Sequence, residues 1–180
     1  MSITPEEVLN HTEPSATHLC SLADNTYGLD FLEFRVRDFD NKSVLFQISR
    51  DTDVPTVGTV EFDTTDPTHR TVKYAFPQRF LTLKNVGTQL KFQTGDAPIS
   101  NLRLIERFYF RNRLIKTFDF KFSFCMPNTT NTWEAIYEMP KLSNRVQKDM
   151  LENPYETQSD TYYFVEDKLI LHQKAFYSFK

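Results

Sequence analysis

The sequence predicts an all-β protein, an immunoglobulin-like antiparallel β-sandwich with one or two short helices, and three observations carry that expectation. From residue 30 onward, apolar side chains recur at every second position, the period of a half-buried strand. The composition favours strands, with 17 Phe and 8 Tyr against 4 Gly and 1 Trp in 180 residues. One stretch between the strand segments has helical spacing with start and stop signals. Short alternating strands of this kind bury their apolar faces against a second sheet. A closed barrel is the alternative arrangement.

Taken in order, residues 1–25 are polar and read as an N-terminal arm, with the sandwich over 26–180. Within the arm, Thr4 caps a short helix, Pro5 suits its first position and Glu7 closes a capping box. Val8 and Leu9 supply an apolar pair to dock that turn on the body. In FLEFRVRDF, Leu32, Phe34 and Val36 share one face, and Asp38 to Lys42 form a hairpin turn into SVLFQIS. Residues 51–70 have no period and read as a long loop. TVKYAF groups Val72, Tyr74 and Phe76, and RFLTLKNVG and QLKFQT extend the strand pattern on either side of Gly87. In FDFKFSF, Phe118, Phe120, Phe122 and Phe124 point one way. The helix is LSNRVQKDMLEN, with Ser143 as cap, Val146 and Met150 four apart, and Pro154 just beyond. TYYFV and KLILHQ close the chain around a Glu166-Asp167 turn.

Composition and motifs exclude several functions. A net charge of −3 argues against a polyanion as main partner, so no nucleic acid is expected. No apolar run is long enough to span a membrane, and MSITPEEVLN lacks the order of a secretory signal. Ser2 excludes N-myristoylation of the chain itself, and the ending AFYSFK carries no prenylation box. Cys20 and Cys125 lie far apart and read as reduced thiols, which fits the cytoplasm. There is no G-x-S-x-G, H-E-x-x-H or P-loop, and His11, His18, His69 and His172 have no ligand spacing. No enzyme, metal site or cofactor is expected.

Three features ask for a role. RLIERFYFRNRLIK, residues 103–116, mixes Arg with aromatics; alternation puts Arg103, Arg107 and Arg111 on a solvated face opposite Leu104 and Phe108. Counting by two from Leu104 places Glu106 on the apolar face. Burying an unpaired carboxylate costs several kcal/mol. Glu106 is therefore at a strand end in water or at the rim of an apolar cavity. The Phe ladder likewise fits either a filled core or an aromatic-lined cavity.

ERFYFRNRLIKTFDFKFSFCMPNTTNTWEAIYEMPKLS and NPYETQSDTYYFVEDKLILHQKAFYS, with EEVL, DFLEFRVRD and VLFQI, closely resemble the uncoordinated-one-nineteen family. That family is sister to the prenyl-binding delta subunit of retinal phosphodiesterase. The resemblance runs from about Thr4 to Phe179 and implies a sandwich whose sheets part around a fatty chain. It implies a solubilising carrier, or chaperone, for N-myristoylated proteins, including G-protein α subunits and ciliary cargo. The ligand would be a myristoyl or lauroyl chain, cargo would be extracted from membranes, and a GTP-bound Arf-like small GTPase would release it. The expected place is the cytoplasm, including the cilium.

Carried over by position, Phe34, Tyr74, Phe80, Phe118, Tyr137 and Tyr163 match aromatic pocket residues, and Phe120 continues the same ladder. Val86 matches an aliphatic wall position, and Glu106 the acidic residue near the cargo's first residues. Phe108 stands where a vertebrate relative has His, and Met139 where it has Phe, so mouth polarity and wall shape differ there. The competing reading is a pocketless β-sandwich adaptor that binds protein partners through the Arg-rich strand 103–116.

Overall fold

The computed structural model describes residues 3–180; Met1 and Ser2, which bear on the N-terminal reading, lie outside the described residues. The chain runs α1 (Pro5–Leu9), a 3-10 turn (Leu22–Asp24), β1 (Asp30–Asp38), β2 (Ser43–Ser49), β3 (Thr59–Phe62) and β4 (Thr71–Phe76). A second 3-10 turn (Gln78–Thr82) leads to β5 (Asn85–Gln93), β6 (Ile99–Phe110), β7 (Arg113–Cys125) and β8 (Thr130–Glu138). α2 (Asn144–Glu152), β9 (Thr157–Val165) and β10 (Lys168–Phe179) complete it. A four-stranded sheet, β2-β1-β5-β8, faces a six-stranded sheet, β3-β4-β10-β9-β6-β7. This is the expected immunoglobulin-like sandwich. One pair departs from antiparallel order: β10 runs parallel to β4, from Lys174 opposite Thr71 to Phe179 opposite Phe76.

Local rules account for the helices. Thr4 Oγ1 accepts from the Glu7 amide at 3.3 Å and the Thr4 amide donates to Glu7 Oε2 at 2.7 Å, a complete capping box. Ser143 caps α2 by accepting from the Val146 amide, and Met150 is fully buried on its inner face.

Elsewhere tertiary context overrode the period. In β1 the register shifts between Phe31 and Glu33, so Phe31, not Leu32, packs into the core. An added residue in one strand reverses the faces beyond it. Residues 78–82 are a 3-10 turn and not a strand. Phe80 and Leu81 are adjacent yet both buried, which a strand with one apolar face does not permit. β5 runs unbroken through Gly87, where a Cβ would come within 2.9 Å of Glu134 Oε1; its absence admits the 2.6 Å Arg37–Glu134 ion pair. Within 51–70 the loop contains β3, an edge strand with no buried residue and hence no readable period. Phe124, at the end of the ladder, is 56% exposed, beyond the facing sheet.

The largest correction concerns the arginines of β6. Arg107 is buried because the arm lies across the outer face of the six-stranded sheet. Its guanidinium donates to the carbonyls of Leu9 at 2.7 Å and His11 at 2.5 Å. Arg103 forms a two-bond pair with Asp119 at 2.9 and 2.8 Å. Arg111, in the turn after β6, pairs with Glu156 at 2.6 Å. Val8 of α1 is fully buried against Ile105, Tyr162 and Phe164.

Polar contacts pin the rest of the arm. Asp160 accepts from the Ser15 amide at 2.7 Å and pairs with Lys174 Nζ at 2.7 Å, and that ammonium also donates to the Ser15 carbonyl. His172 Nδ1 accepts from the Leu19 amide at 3.0 Å. Its proton therefore sits on Nε2, which donates to Asp160 at 3.1 Å. Asp160 and His172 are essentially inaccessible to solvent.

Candidate functional site

Between the sheets, toward the end where β5 begins and β8 ends, lies a cavity of about 40 Å³. Strand alternation builds its walls. On β6, Glu106 and Phe108 face inward while Ile105 and Arg107 serve the arm. Opposite Glu106 on β7 stands Phe118, and Phe34 and Val36 of β1 close the wall across the gap. Tyr137 packs on Phe118 with ring centroids 4.4 Å apart, and its hydroxyl is 3.0 Å from Thr88 Oγ1.

Glu106 is the chemical oddity of this wall. No cationic side chain supports its charge, and burial pushes its carboxyl up to about 7, with the Ser159 and Tyr177 hydroxyls pulling the other way. Those hydroxyls are 3.0 Å apart. Burial beside this carboxylate also raises the phenol values of Tyr74 and Tyr137. Lys116 lines the cavity at its edge, with Nζ 3.4 Å from the Glu138 carbonyl and 5.9 Å from the centre of the Phe118 ring. The cavity thus offers apolar rings, one acceptor that titrates near neutrality, and a cation at the rim. Among the described residues no cluster of His, Cys, Asp or Glu could hold a metal ion.

The two sides of the sandwich are closed differently. At the β2 and β3 edges, Gln47 and Val57 exchange two backbone hydrogen bonds of 2.8 Å, and Gln47 Nε2 donates to the Pro55 carbonyl. At the β7 and β8 edges, aromatic rings fill the seam: Phe118 on Tyr137, and Phe120 on Trp133 at 4.8 Å. No backbone ladder joins β7 to β8; these rings and the Lys116–Glu138 hydrogen bond close that side.

The structure gathers most of the residues singled out in the sequence. Phe34, Phe80, Glu106, Phe108, Phe118, Tyr137 and Met139 border the cavity. Tyr163 borders a smaller void of about 10 Å³ toward the opposite end of the sandwich, and Phe120 packs against both core clusters between the two. Tyr74 sits behind Phe34, with ring centroids 5.7 Å apart. Val86 is fully buried in the core but borders neither void. Sequence reasoning missed Val36, Phe76, Thr88, Lys116, Pro140 and Tyr177 as lining residues. Alternation past Gln173 through Ala175, Tyr177 and Phe179 carried the signal for Tyr177, since all three pack into the larger cluster.

The comparisons with known proteins agree with one another. A family model described as GMP-PDE, delta subunit, matches residues 23–179. The chain is 45% identical over 179 residues to Protein unc-119 homolog B of Danio rerio, covering 98% of this chain and 74% of that protein. It is 45% identical over 185 residues to Protein unc-119 homolog B of Homo sapiens, covering 99% and 72%. It is 46% identical over 178 residues to Protein unc-119 of Caenorhabditis elegans, covering 98% and 80%. No helix among the described residues is long and apolar enough to cross a membrane.

Proposed function

The chain belongs to the GMP-PDE delta-subunit family, in its unc-119 branch of lipid-binding carriers, and we propose that its ligand is the myristoyl or lauroyl chain of N-terminally acylated proteins. The observation that carries this reading is Glu106, a carboxylate without a cationic partner on the wall of an aromatic cavity. A free apolar ligand gives such a group no purpose. An acylated peptide does, because the amide N–H groups next to the acyl link are donors for the carboxylate in a low-dielectric mouth.

The acyl chain lies between the sheets. A cavity of about 40 Å³ has room for about three waters, not for a fourteen-carbon chain, so binding is coupled to opening along the β7–β8 seam. A dozen buried methylenes at ~0.8 kcal/mol each give about 10 kcal/mol gross. Association and opening take back several kcal/mol. The remainder competes with a bilayer, which holds one myristoyl chain only marginally. Cargo is therefore drawn from membranes without nucleotide hydrolysis. The sequence resemblance supports G-protein α subunits and ciliary proteins as cargo, work in the cytoplasm and cilium, and release by a GTP-bound Arf-like GTPase. The adaptor alternative loses its ground, because Arg103 is held by Asp119 and Arg107 by the arm.

Glu106→Ala tests the reading. It is expected to weaken a myristoylated peptide by about 1–3 kcal/mol, as one charged hydrogen-bond partner is lost. Free myristate, which has no amide to donate and carries a like charge, is expected to bind as well or better. Equal losses for peptide and free acid in parallel titrations would refute the assigned role. In stopped flow, the peptide's off-rate is expected to rise with GTP-form GTPase and not with the GDP form. A GTPase-independent off-rate leaves passive carriage alone.

A further inference from the structure

The end of the sandwich that holds the cavity is also its cationic end. β1, β4, β6, β8 and β10 finish there, and β5, β7 and β9 begin there. The segments that cover this end are 38–43, 77–85, 110–116, 138–156 and Lys180. They hold ten Lys and Arg against six Asp and Glu, whereas the whole chain has 21 against 24. Most of those carboxylates are engaged: Glu156 by Arg111, Glu152 by Lys148, Asp38 by Asn41 and Asp40 by Asn85. Arg79, Lys84, Arg113, Lys141, Arg145 and Lys180, by contrast, are exposed and join no ion pair among the described residues. At the opposite end, residues 24–30, 94–98 and 166–168 carry five carboxylates and one cation, Lys168.

The molecule is thus polarised along its strands, which its net charge of −3 conceals. β6 alone, with 12 residues at ~3.3 Å each, sets the two ends about 35–40 Å apart. The Debye length at physiological salt is about 8 Å, so the acidic end does not cancel attraction at the cationic one. The six free cations come from four separate segments and not from one strand or groove. An acidic peptide would engage one line of them; a bilayer with anionic headgroups meets the whole end at once. Leu114, next to Arg113, is 36% exposed and offers an apolar side chain to the headgroup boundary. We propose that the cavity end docks on anionic membrane surfaces. The docking stands on charge alone; its use, presenting the cavity to the bilayer that holds the cargo, rests on the carrier reading above.

Each Lys or Arg brought to an anionic surface contributes about fivefold in affinity, the equivalent of ~1 kcal/mol. The whole chain without cargo is expected to sediment with vesicles of phosphatidylcholine and phosphatidylserine and not with phosphatidylcholine alone. Added salt should release it. The triple change Arg113→Glu, Lys141→Glu and Arg145→Glu is expected to cost at least about a hundredfold on the mixed vesicles, from three cations lost. Lys91→Glu, Lys121→Glu and Lys168→Glu make the same change in net charge away from this end, and should leave vesicle binding intact. Thermal melts check both triples, and a myristoylated peptide free in solution should bind both as it binds the wild type. If the first triple does not fold, the lipid and salt series of the wild type decide. Equal sedimentation with the two kinds of vesicle, unchanged binding of the first triple, or equal losses in both triples overturns the docking. So does the absence of any sedimentation; if poly-glutamate then binds the wild type and not the first triple, the face serves an acidic protein instead. The peptide titration keeps the two readings apart. Vesicle docking without peptide binding overturns the carrier reading alone, and peptide binding without docking overturns this inference alone.

Discussion

Asp160→Asn is expected to cost the fold about 3–5 kcal/mol, the range for breaking a buried ion pair by removing one partner. Asp160 is 1% exposed and serves Lys174, His172 and the Ser15 amide together. Burial alone would raise its carboxyl; hydrogen bonding with His172 and the Lys174 charge reverse this and hold it down to about 2. The amide leaves the Lys174 ammonium buried without its counter-charge. Chemical denaturation measures the loss, and limited proteolysis should show the arm cut first. Adding Lys174→Met should restore part of the stability, since the stranded charge is then gone. A loss below about 1 kcal/mol, as for an exposed pair, would mean that the arm does not seal this network.

The same network sets an acid limit. Burial lowers the His172 value, so below the ordinary histidine range the unfolded chain takes up a proton that the folded chain refuses, and stability falls with pH. The Asp160 contribution is lost further down, between its ordinary value near 3.8 and about 2.

Glu106→Gln is expected to stabilise the unliganded protein by about 3 kcal/mol at pH 8, the cost of ionising a carboxyl moved from about 4.5 to about 7 at ~1.4 kcal/mol per unit. The sign follows from the raised value. Below pH 4.5 the carboxyl is neutral folded and unfolded, and it costs nothing. Between 4.5 and 7 only the unfolded chain ionises, so wild-type stability declines; above 7 the penalty is constant. The difference between variant and wild type should grow from near zero at pH 4.5 to its plateau above pH 7, which also removes the His172 and Asp160 titrations from the comparison. Denaturation at four or five pH values measures it. A difference independent of pH would show that Glu106 is solvated. Cargo binding should oppose the penalty, since amide donors favour the ionised form, and so strengthen as pH rises through 7.

What could be read from the sequence was whatever a strand's period encodes. Glu106 on the apolar face of β6, and Phe118 and Phe120 on the inner face of β7, follow from counting by two. What could not be read depends on partners distant in the chain. Arg107 looked solvated because nothing in residues 103–116 says that the arm, about a hundred residues earlier, lies over it. Leu32 lost its place to Phe31 through a bulge set by the register with β5. Val86, a pocket position by resemblance, is fully buried in the same core cluster as Phe34, Phe118 and Tyr137 without lining the cavity itself. Lys116 shares the face of Phe118, and at a cavity rim its stem can line the wall while its ammonium stays at the edge.

The central claim is that an acyl chain enters between the two sheets. Calorimetric titration at several temperatures, of one N-terminal peptide with and without its myristoyl group, tests it most directly. The account predicts tight binding of the acylated peptide with a clearly negative heat-capacity change, the mark of apolar burial, and no measurable binding of the bare peptide. Equal affinity for the two peptides, or no binding of the acylated one, would contradict it.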